Sequence, residues 1–248
     1  MPDPLIQFQQ VRKSFGELRV LDGVDLAIGG GAITTVIGRS GVGKSVLLKH
    51  IVGLLEPDDG RILYRGQDLL RMRRSERKAL KSKFSYMFQN MALFDSMTVF
   101  ENIALPLREK SRLSRRAILD KVTERVSQLE LSGAEDRYPS QLSGGMRKRV
   151  ALARALIHDP EIVLFDEPTT GLDPIRKTTV HGMIARYQQR FGFTAVVVSH
   201  DIPDVFAISN RVAMLENGRI VFEGTAAEIA ASPDPLVQQF IQGKEEPE

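Results

Sequence analysis

The sequence has 248 residues, of which 42% are hydrophobic and 26% charged, and this is the composition of a globular protein with a sizeable core. The formal net charge of +3 is small for a dedicated nucleic-acid-binding protein, so we expect no nucleic-acid partner. The lack of cysteine excludes disulfides, thiolate catalysis and cysteine-ligated zinc. No apolar stretch reaches the roughly 18 residues of a membrane span, and the start of the chain does not have the pattern of a secretory signal.

Two kinds of strand are predicted along the chain. Residues 5–9, 24–28 and 61–64, separated by glycines, are typical of a small antiparallel layer. Residues 33–37, 162–165 and 194–198 are short, mainly apolar runs rich in β-branched side chains, which indicates strands buried on both faces of a parallel sheet. We therefore expect an α/β fold with a mostly parallel core sheet and a separate antiparallel β subdomain.

The middle of the chain, from about residue 97 to residue 158, has helical rather than strand periodicity and predicts a helical insert. We expect one domain over residues 1–243. Its parts are a catalytic core (1–96 and 159–224), a helical subdomain (97–158) and C-terminal helices (225–243). The remaining tail, residues 244–248, is predicted to be mobile.

Each of the three predicted parallel strands is followed by polar or glycine-rich residues that could bind a ligand. Residues 38–45 follow the first, Asp166 and Glu167 the second, and Ser199 and His200 the third. In an open α/β sheet, ligands bind beyond the carboxyl ends of the strands, so these segments are predicted to meet at one crevice.

The segment after the first strand reads GRSGVGKS and matches a phosphate-binding loop, G-x-x-x-x-G-K-[ST], between a strand and a helix. Glycines let the backbone N–H groups turn toward phosphate oxygens, and the helix N-terminus adds partial positive charge. Lys44 is expected to reach the β- and γ-phosphates, and Ser45 to bind Mg²⁺. The predicted cradle consists of Gly38, Arg39, Ser40, Gly41, Val42, Gly43, Lys44 and Ser45.

Two adjacent carboxylates end the second strand. Because successive strand residues point in opposite directions, one carboxylate can serve a metal and the other a water. We assign Asp166 to Mg²⁺ and Glu167 to polarising the attacking water. His200 is the candidate donor to a γ-phosphate oxygen.

A second helix N-terminus suited to phosphate follows Leu142. Ser143 is the predicted cap, Gly144 and Gly145 line the end, and residues 147–156 continue as a helix. Ser-Gly-Gly alone is also common in turns, so this segment indicates a phosphate-binding helix end only in combination with the loop at residues 38–45.

These motifs, in this order and over nearly the whole chain, resemble those of the ATP-binding cassette (ABC) ATPases. The Walker A loop matches residues 38–45, the Q-loop Gln89, the signature residues 142–146, Walker B residues 162–167, the D-loop residues 171–174 and the switch histidine His200. The resemblance implies ATP and Mg²⁺ as ligands, with Gln89 at the metal and in catalysis. It also places Phe15 on the adenine, the alternative being an ordinary core phenylalanine.

The resemblance also implies a partner. In the family, two cassettes pair head to tail, with ATP between Walker A of one copy and the signature of the other. Ser143, Gly144 and Gly145 would then meet the γ-phosphate bound by a second copy, and Asp173 of the D-loop would join the nucleotide-binding set.

At finer grain the chain resembles the Mla/Mce-linked phospholipid-transport ATPases. The resemblance is carried by residues 92–102, 104–109, 142–149, 198–204 and 233–240, including Met146 in place of the commoner signature glutamine. Gln141 departs from a frequent glutamate. The implied partners are an integral-membrane permease and a periplasmic MCE-domain protein, with a small STAS-domain subunit as a further candidate. The implied location is the cytoplasmic face of a bacterial inner membrane.

Several alternatives stay open from sequence. An importer of polar amino acids or other small solutes shares every catalytic motif, and a soluble non-transport cassette or a regulator without turnover belongs to a different class. Residues 90–94 suit either a permease cleft or subdomain core. The basic run at residues 71–83, with seven Lys or Arg against Glu76 alone, predicts either a solvated helix face or a contact with anionic lipid headgroups.

Overall fold

The computed structural model describes residues 3–87 and 92–243. Gln89, part of the segment 90–94 and the tail 244–248 lie outside the described residues. The strands are β1 (Ile6–Phe15), β2 (Leu18–Ile28), β3 (Ile33–Ile37), β4 (Asp59–Tyr64), β5 (Gln67–Asp68), β6 (Phe84–Met87), β7 (Ile162–Asp166), β8 (Thr194–Ser199), β9 (Arg211–Glu216) and β10 (Arg219–Gly224). The α-helices are α1 (Lys44–Ile51), α2 (Arg74–Lys81), α3 (Val99–Lys110), α4 (Arg115–Gln128), α5 (Gly144–Leu156), α6 (Pro174–Phe191), α7 (Ala226–Ala230) and α8 (Pro235–Ile241).

The strands form two sheets. One is antiparallel, in the order β2-β1-β4-β5, and the other has the order β10-β9-β3-β8-β7-β6. In the second sheet, β3 pairs in parallel with β8 and β9, β7 pairs in parallel with β8 and β6, and only β10 is antiparallel. The predicted fold class, a mostly parallel core sheet with a separate antiparallel layer and helices, is confirmed.

The core sheet lies between two hydrophobic cores because its central strands are buried on both faces. Val163 and Phe165 of β7 face the larger core, which α6 and the helices of the insert complete. Ile162 and Leu164 face the smaller core, with α1 and the antiparallel sheet. The sheet is thereby fixed from both sides, and the carboxyl ends of β3, β7 and β8 lie next to one another.

The insert is held by helix packing and by caps. Thr98 and Glu101 form a capping box at the start of α3, and α3 packs on α4 and α5. Ser143 caps α5 as predicted, and Val150 of α5 is fully buried. The division into core, helical subdomain and C-terminal helices stays a prediction. In the two ranges that the structure describes, no helix combines the length and apolarity needed to cross a membrane.

Candidate active site

The loop at residues 38–45 joins β3 to α1 in a tightly packed setting. Gly43 precedes α1 with φ 109°, and a Cβ there would lie 2.7 Å from Val20 Cγ1. A Cβ on Gly38 would lie 2.3 Å from the Leu215 carbonyl oxygen. Glycine is therefore required at both positions by the fold of the chain itself. Because Gly43 has no side chain to cap α1, the first N–H groups of the helix point to a site suited to an anion.

Lys44 is folded back over this loop. Its side chain is only 5% exposed, and Nζ donates to the carbonyls of Gly38 at 2.8 Å and Arg39 at 2.9 Å. The same Nζ lies 3.4 Å from Glu167 Oε1. A buried ammonium held by carbonyls and one carboxylate is placed to exchange these partners for phosphate oxygens.

Ser45 and Asp166 are brought together across the crevice. Ser45 Oγ donates to Asp166 Oδ1 at 2.7 Å, and Tyr86 Oη donates to Asp166 Oδ2 at 2.6 Å. Burial and the hydrogen bond to Asp166 raise the pKa of Tyr86, so the phenol stays a donor. A hydroxyl beside a carboxylate offers the hard oxygen ligands that Mg²⁺ prefers. The residues described include no cluster of three or more His, Cys, Asp or Glu suited to a metal, and Mg²⁺ sites typically use one or two carboxylates with substrate phosphates.

Glu167 and His200 form the second pair. His200 Nδ1 lies 2.6 Å from Glu167 Oε2. The two neighbouring carboxylates meet different partners, as expected, but strand alternation is not the reason. β7 ends at Asp166, and Glu167 has the left-handed φ of 50°, so a turn of the backbone directs its side chain toward Lys44 and His200.

A buried network behind His200 was not predicted from sequence. The Asp201 side chain is 3% exposed and accepts hydrogen bonds from Thr169 Oγ1 and from Lys177 Nζ. Burial raises the pKa of Asp201, but the Lys177 and Thr169 bonds outweigh burial and hold that pKa below its ordinary value. Thr169 follows Glu167 closely and Lys177 lies on α6, so the network ties the segment after β7 to α6 and to the residue next to His200. The only signal in the sequence was the position of Asp201 directly after His200.

The start of α5 has a different character. Ser143 Oγ accepts from the Met146 N–H at 3.2 Å, and Ser143, Gly144 and Gly145 are exposed. A Cβ on Gly144 or Gly145 would have no neighbour within 4 Å. In the part of the chain that the structure describes, the hydrogen bonds of Ser143 are local to α5, and none of them joins this helix end to Lys44, Glu167 or His200.

Phe15 and Asp173 lie at the margins of the site. Phe15 ends β1 with 47% of its surface exposed, and Lys13 Nζ lies 5.7 Å from its ring centroid, so core packing does not account for the aromatic side chain. Asp173 caps α6 by accepting from the Arg176 N–H at 3.0 Å. Gln89 lies outside the described residues.

Comparison with known proteins gives the site its context. Residues 21–170 match the family model described as "ABC transporter". The chain is 39% identical to the intermembrane phospholipid transport system ATP-binding protein MlaF of Escherichia coli K12, over 96% of this chain and 89% of the relative. It is 37% identical to the probable ribonucleotide transport ATP-binding protein mkl of Mycobacterium tuberculosis, over 96% of this chain and 67% of the relative. Among solved structures, the dimeric post-hydrolysis cassette MJ0796 bound to ADP and Pi matches with a TM-score of 0.75 and 30% identity, over 89% of this chain and 98% of that chain.

Proposed function

The chain belongs to the ABC transporter family, and from this premise we propose that it binds and hydrolyses ATP to power phospholipid transport between a bacterial inner membrane and a periplasmic carrier. As a member of this family the chain is an ABC ATPase. The observation that carries the catalytic part is the convergence of Lys44, Glu167 and His200 at the open N-terminus of α1.

Binding follows from the groups that the loop offers. When the triphosphate enters, the N–H groups of the loop and of α1 bind phosphate oxygens, and Lys44 Nζ exchanges the carbonyls of Gly38 and Arg39 for them. Ser45 and Asp166 would hold Mg²⁺, which neutralises charge on the β- and γ-phosphates when bound. Gln89 is proposed as a further ligand.

Hydrolysis requires a water in line with the γ-phosphorus. Glu167 is the carboxylate placed to accept a hydrogen bond from that water, and His200, whose Nδ1 lies 2.6 Å from Glu167 Oε2, is placed to orient that carboxylate. Donation from the other ring nitrogen to the γ-phosphate requires the imidazolium form, because the neutral ring has only one N–H. Once Lys44 turns to the phosphates, Glu167 is released from its 3.4 Å contact with Nζ and is free to serve the water.

The exposed start of α5 supports a second copy as partner. Ser143, Gly144 and Gly145 form an exposed helix N-terminus suited to phosphate, with open space around both glycines. We propose that this end closes over the γ-phosphate held by another copy, with Asp173 in the same interface. The dimeric form of the cassette MJ0796 supports this arrangement.

A groove of about 550 Å³ supports a permease as the membrane partner. It lies between the ends of α2 and β6 and helices α3 and α5, and its apolar lining includes Leu54, Phe84, Phe94, Leu105 and Pro106. Phe94 is 48% exposed there. We propose that a permease helix occupies this groove and holds the chain at the cytoplasmic face of the inner membrane.

The proposed cargo is phospholipid, supported by the name and near full-length similarity of the Escherichia coli relative. An MCE-domain protein and a small STAS-domain subunit are the further proposed partners. The name of the Mycobacterium tuberculosis relative favours a second candidate, transport of a small polar solute such as a ribonucleotide.

The catalytic proposal is tested with Glu167→Gln, which keeps the size of the side chain but removes its basicity. We expect hydrolysis to fall at least about 100-fold, because general-base catalysis contributes about 10²–10⁴, while ATP binding is retained. The Glu167→Gln variant should be a dimer in solution with MgATP, with twice the monomer mass, and a monomer without it. A variant that stays monomeric with bound ATP would contradict the proposed closure.

The cargo is tested by purifying the chain with its partners from native membranes and identifying proteins and lipids by mass spectrometry. A permease, an MCE-domain protein and bound phospholipid would support lipid transport. A periplasmic receptor for a soluble metabolite would support the second candidate instead.

A further inference from the structure

The positive charge of the chain is concentrated in one short segment. Residues 71–83 contain seven Lys or Arg and one Glu, a net +6, whereas the whole chain carries only +3. The rest of the chain is therefore net negative. Helix α2 forms the centre of this segment.

Most of these cations face solvent without an acidic partner. Leu80 is buried and fixes α2 to the core, while Arg73, Arg74, Lys78 and Lys81 are exposed. In the described ranges these four side chains form no ion pair. Elsewhere in the segment, Arg71 pairs with Asp68, Arg77 with Glu56 and Lys83 with Glu161. The four unpaired side chains define what we call the α2 basic face.

The α2 basic face adjoins the groove proposed for the permease. Lys81 and Ser82, at the end of α2, line that groove together with Leu54. Leu54 is 60% exposed and Leu70, just before α2, is 37% exposed. Exposed aliphatic side chains beside basic ones are typical of surfaces that meet the headgroup region of a bilayer.

We propose that the α2 basic face binds the anionic phospholipid headgroups of the cytoplasmic leaflet beside the permease. The placement beside the membrane rests on the proposed function, because a membrane protein in the groove brings α2 to the bilayer. The attraction does not depend on it. Each Lys or Arg near an anionic bilayer strengthens binding by about fivefold, so four together give a contact that orients the chain without anchoring it.

RNA is the other polyanion that such a surface attracts, and the observations favour the membrane. The segment 71–83 contains no aromatic residue, whereas single-stranded nucleic acids are held by stacking on aromatic side chains as well as by charge. The neighbouring exposed leucines also suit lipid better than phosphate backbone.

The test uses the purified full chain and sedimentation with vesicles of phosphatidylglycerol and phosphatidylethanolamine, or of phosphatidylcholine alone. The variant is Arg73→Glu with Arg74→Glu. Both positions lie at the N-terminus of α2, where negative charge favours the helix, so the fold is retained. The matched control is Arg112→Glu with Arg115→Glu, an equal charge change at two exposed arginines by the start of α4 that, like Arg73 and Arg74, form no ion pair in the described ranges.

We expect the parent chain to bind anionic vesicles in a salt-dependent way and phosphatidylcholine vesicles much more weakly. The α2 variant should lose affinity for anionic vesicles by at least about 25-fold, whereas the α4 control changes little and both hydrolyse ATP normally. Equal losses in the two variants would overturn the proposal, as would binding of a short RNA that the α2 variant loses in parallel. The vesicles contain no permease, so failure here leaves the proposed function standing, and failure of the cargo experiment leaves this result intact.

Discussion

The starts of α1 and α5 are both glycine-lined helix N-termini, but the surroundings of their glycines differ. At α1, a Cβ on Gly43 would meet Val20 at 2.7 Å, so the fold of the single chain requires glycine. At α5, a Cβ on Gly144 or Gly145 would find open space within 4 Å. Within the described residues no close contact requires glycine at positions 144 and 145, so the fold of the single chain does not account for them as it does for Gly43.

The two helix starts also differ in the polar and charged side chains that surround them. Lys44, Ser45, Asp166, Glu167 and His200 gather at the start of α1. The start of α5 has only its own cap, Ser143. The start of α1 gathers the proposed catalytic groups within one chain, whereas the start of α5 is proposed to bind phosphate only together with a second copy.

Gly145→Ala tests whether the glycine of α5 serves hydrolysis rather than the fold. We expect the free energy of unfolding to stay the same or rise by up to about 1 kcal/mol, because alanine restricts the unfolded chain and is accommodated in open space. Hydrolysis should nevertheless fall about 100-fold, the usual cost of disturbing a preorganised donor at a developing charge. Denaturant unfolding and steady-state ATP hydrolysis measure the two effects.

Gly43→Ala is the control for that prediction, since it should lower the free energy of unfolding by about 1–3 kcal/mol through overpacking against Val20 and backbone strain at φ 109°. A Gly145→Ala protein that hydrolyses ATP at the parent rate would remove α5 from the reaction.

The buried network of Asp201, Lys177 and Thr169 lies next to His200 and should contribute measurably to stability. Asp201→Asn leaves the Lys177 ammonium without its carboxylate, and we expect a loss of about 2 kcal/mol in the free energy of unfolding. This is less than the usual cost for a fully buried pair, because Lys177 is 25% exposed. Thermal or denaturant unfolding of Asp201→Asn, Lys177→Met and the double variant gives the coupling energy, and strictly additive losses would show that the pair is not coupled.

The parts of this comparison that could be predicted from sequence were those with a local signal. β3, β7 and β8 were predicted because each is a short run dominated by apolar and β-branched side chains. The Ser143 cap was predicted because a serine directly before a helical pattern can accept a hydrogen bond from the first turn of the helix, and this signal is local in sequence.

Three features of the fold were not predicted: strand β6, the hairpin of β9 and β10, and the Asp201 network. β6 is four half-buried residues whose pairing with β7 is set by tertiary contact, so Tyr86 and its bond to Asp166 could not be anticipated. β9 and β10 did have a signal, since Asn217-Gly218 between two apolar runs favours a hairpin. The Asp201 network joins three separate segments and has no sequence pattern of its own.

Phe15 is the residue proposed to stack on the adenine of ATP bound at the start of α1. Phe15→Ala should weaken ATP binding about tenfold, because stacking of a base on an aromatic ring typically contributes about 1–3 kcal/mol. Phe15→Tyr, which keeps the ring, should bind ATP as the parent does. Binding of ATP and of inorganic triphosphate, measured by calorimetry, separates the two roles: only ATP should be affected. Equal weakening for both ligands would place Phe15 outside the adenine site.

Stability is also expected to depend weakly on pH, through a buried histidine of α6. His181 on α6 is 2% exposed, and within the described residues neither ring nitrogen has a hydrogen-bond partner. Burial lowers the pKa of His181, with Asp201 and Asp204 opposing this and Lys177 and Lys148 adding to it. The folded protein therefore favours the neutral ring, and stability is complete above the ordinary pKa of 6.5 and falls as the pH drops below it.

The expected slope is at most about 1.4 kcal/mol per pH unit for each such group. His50, whose pKa is also lowered by burial, adds a second contribution. His181→Leu should raise the free energy of unfolding at neutral pH, since it removes unpaired buried polar atoms, and should lessen its decline toward about pH 5. Because α6 carries Lys177, acid should loosen the Asp201 network and leave the Ser143 cap of α5 unchanged, which amide hydrogen exchange at the two helix starts can compare. An unchanged pH slope in His181→Leu would show that other groups, such as His50, cause the acid sensitivity.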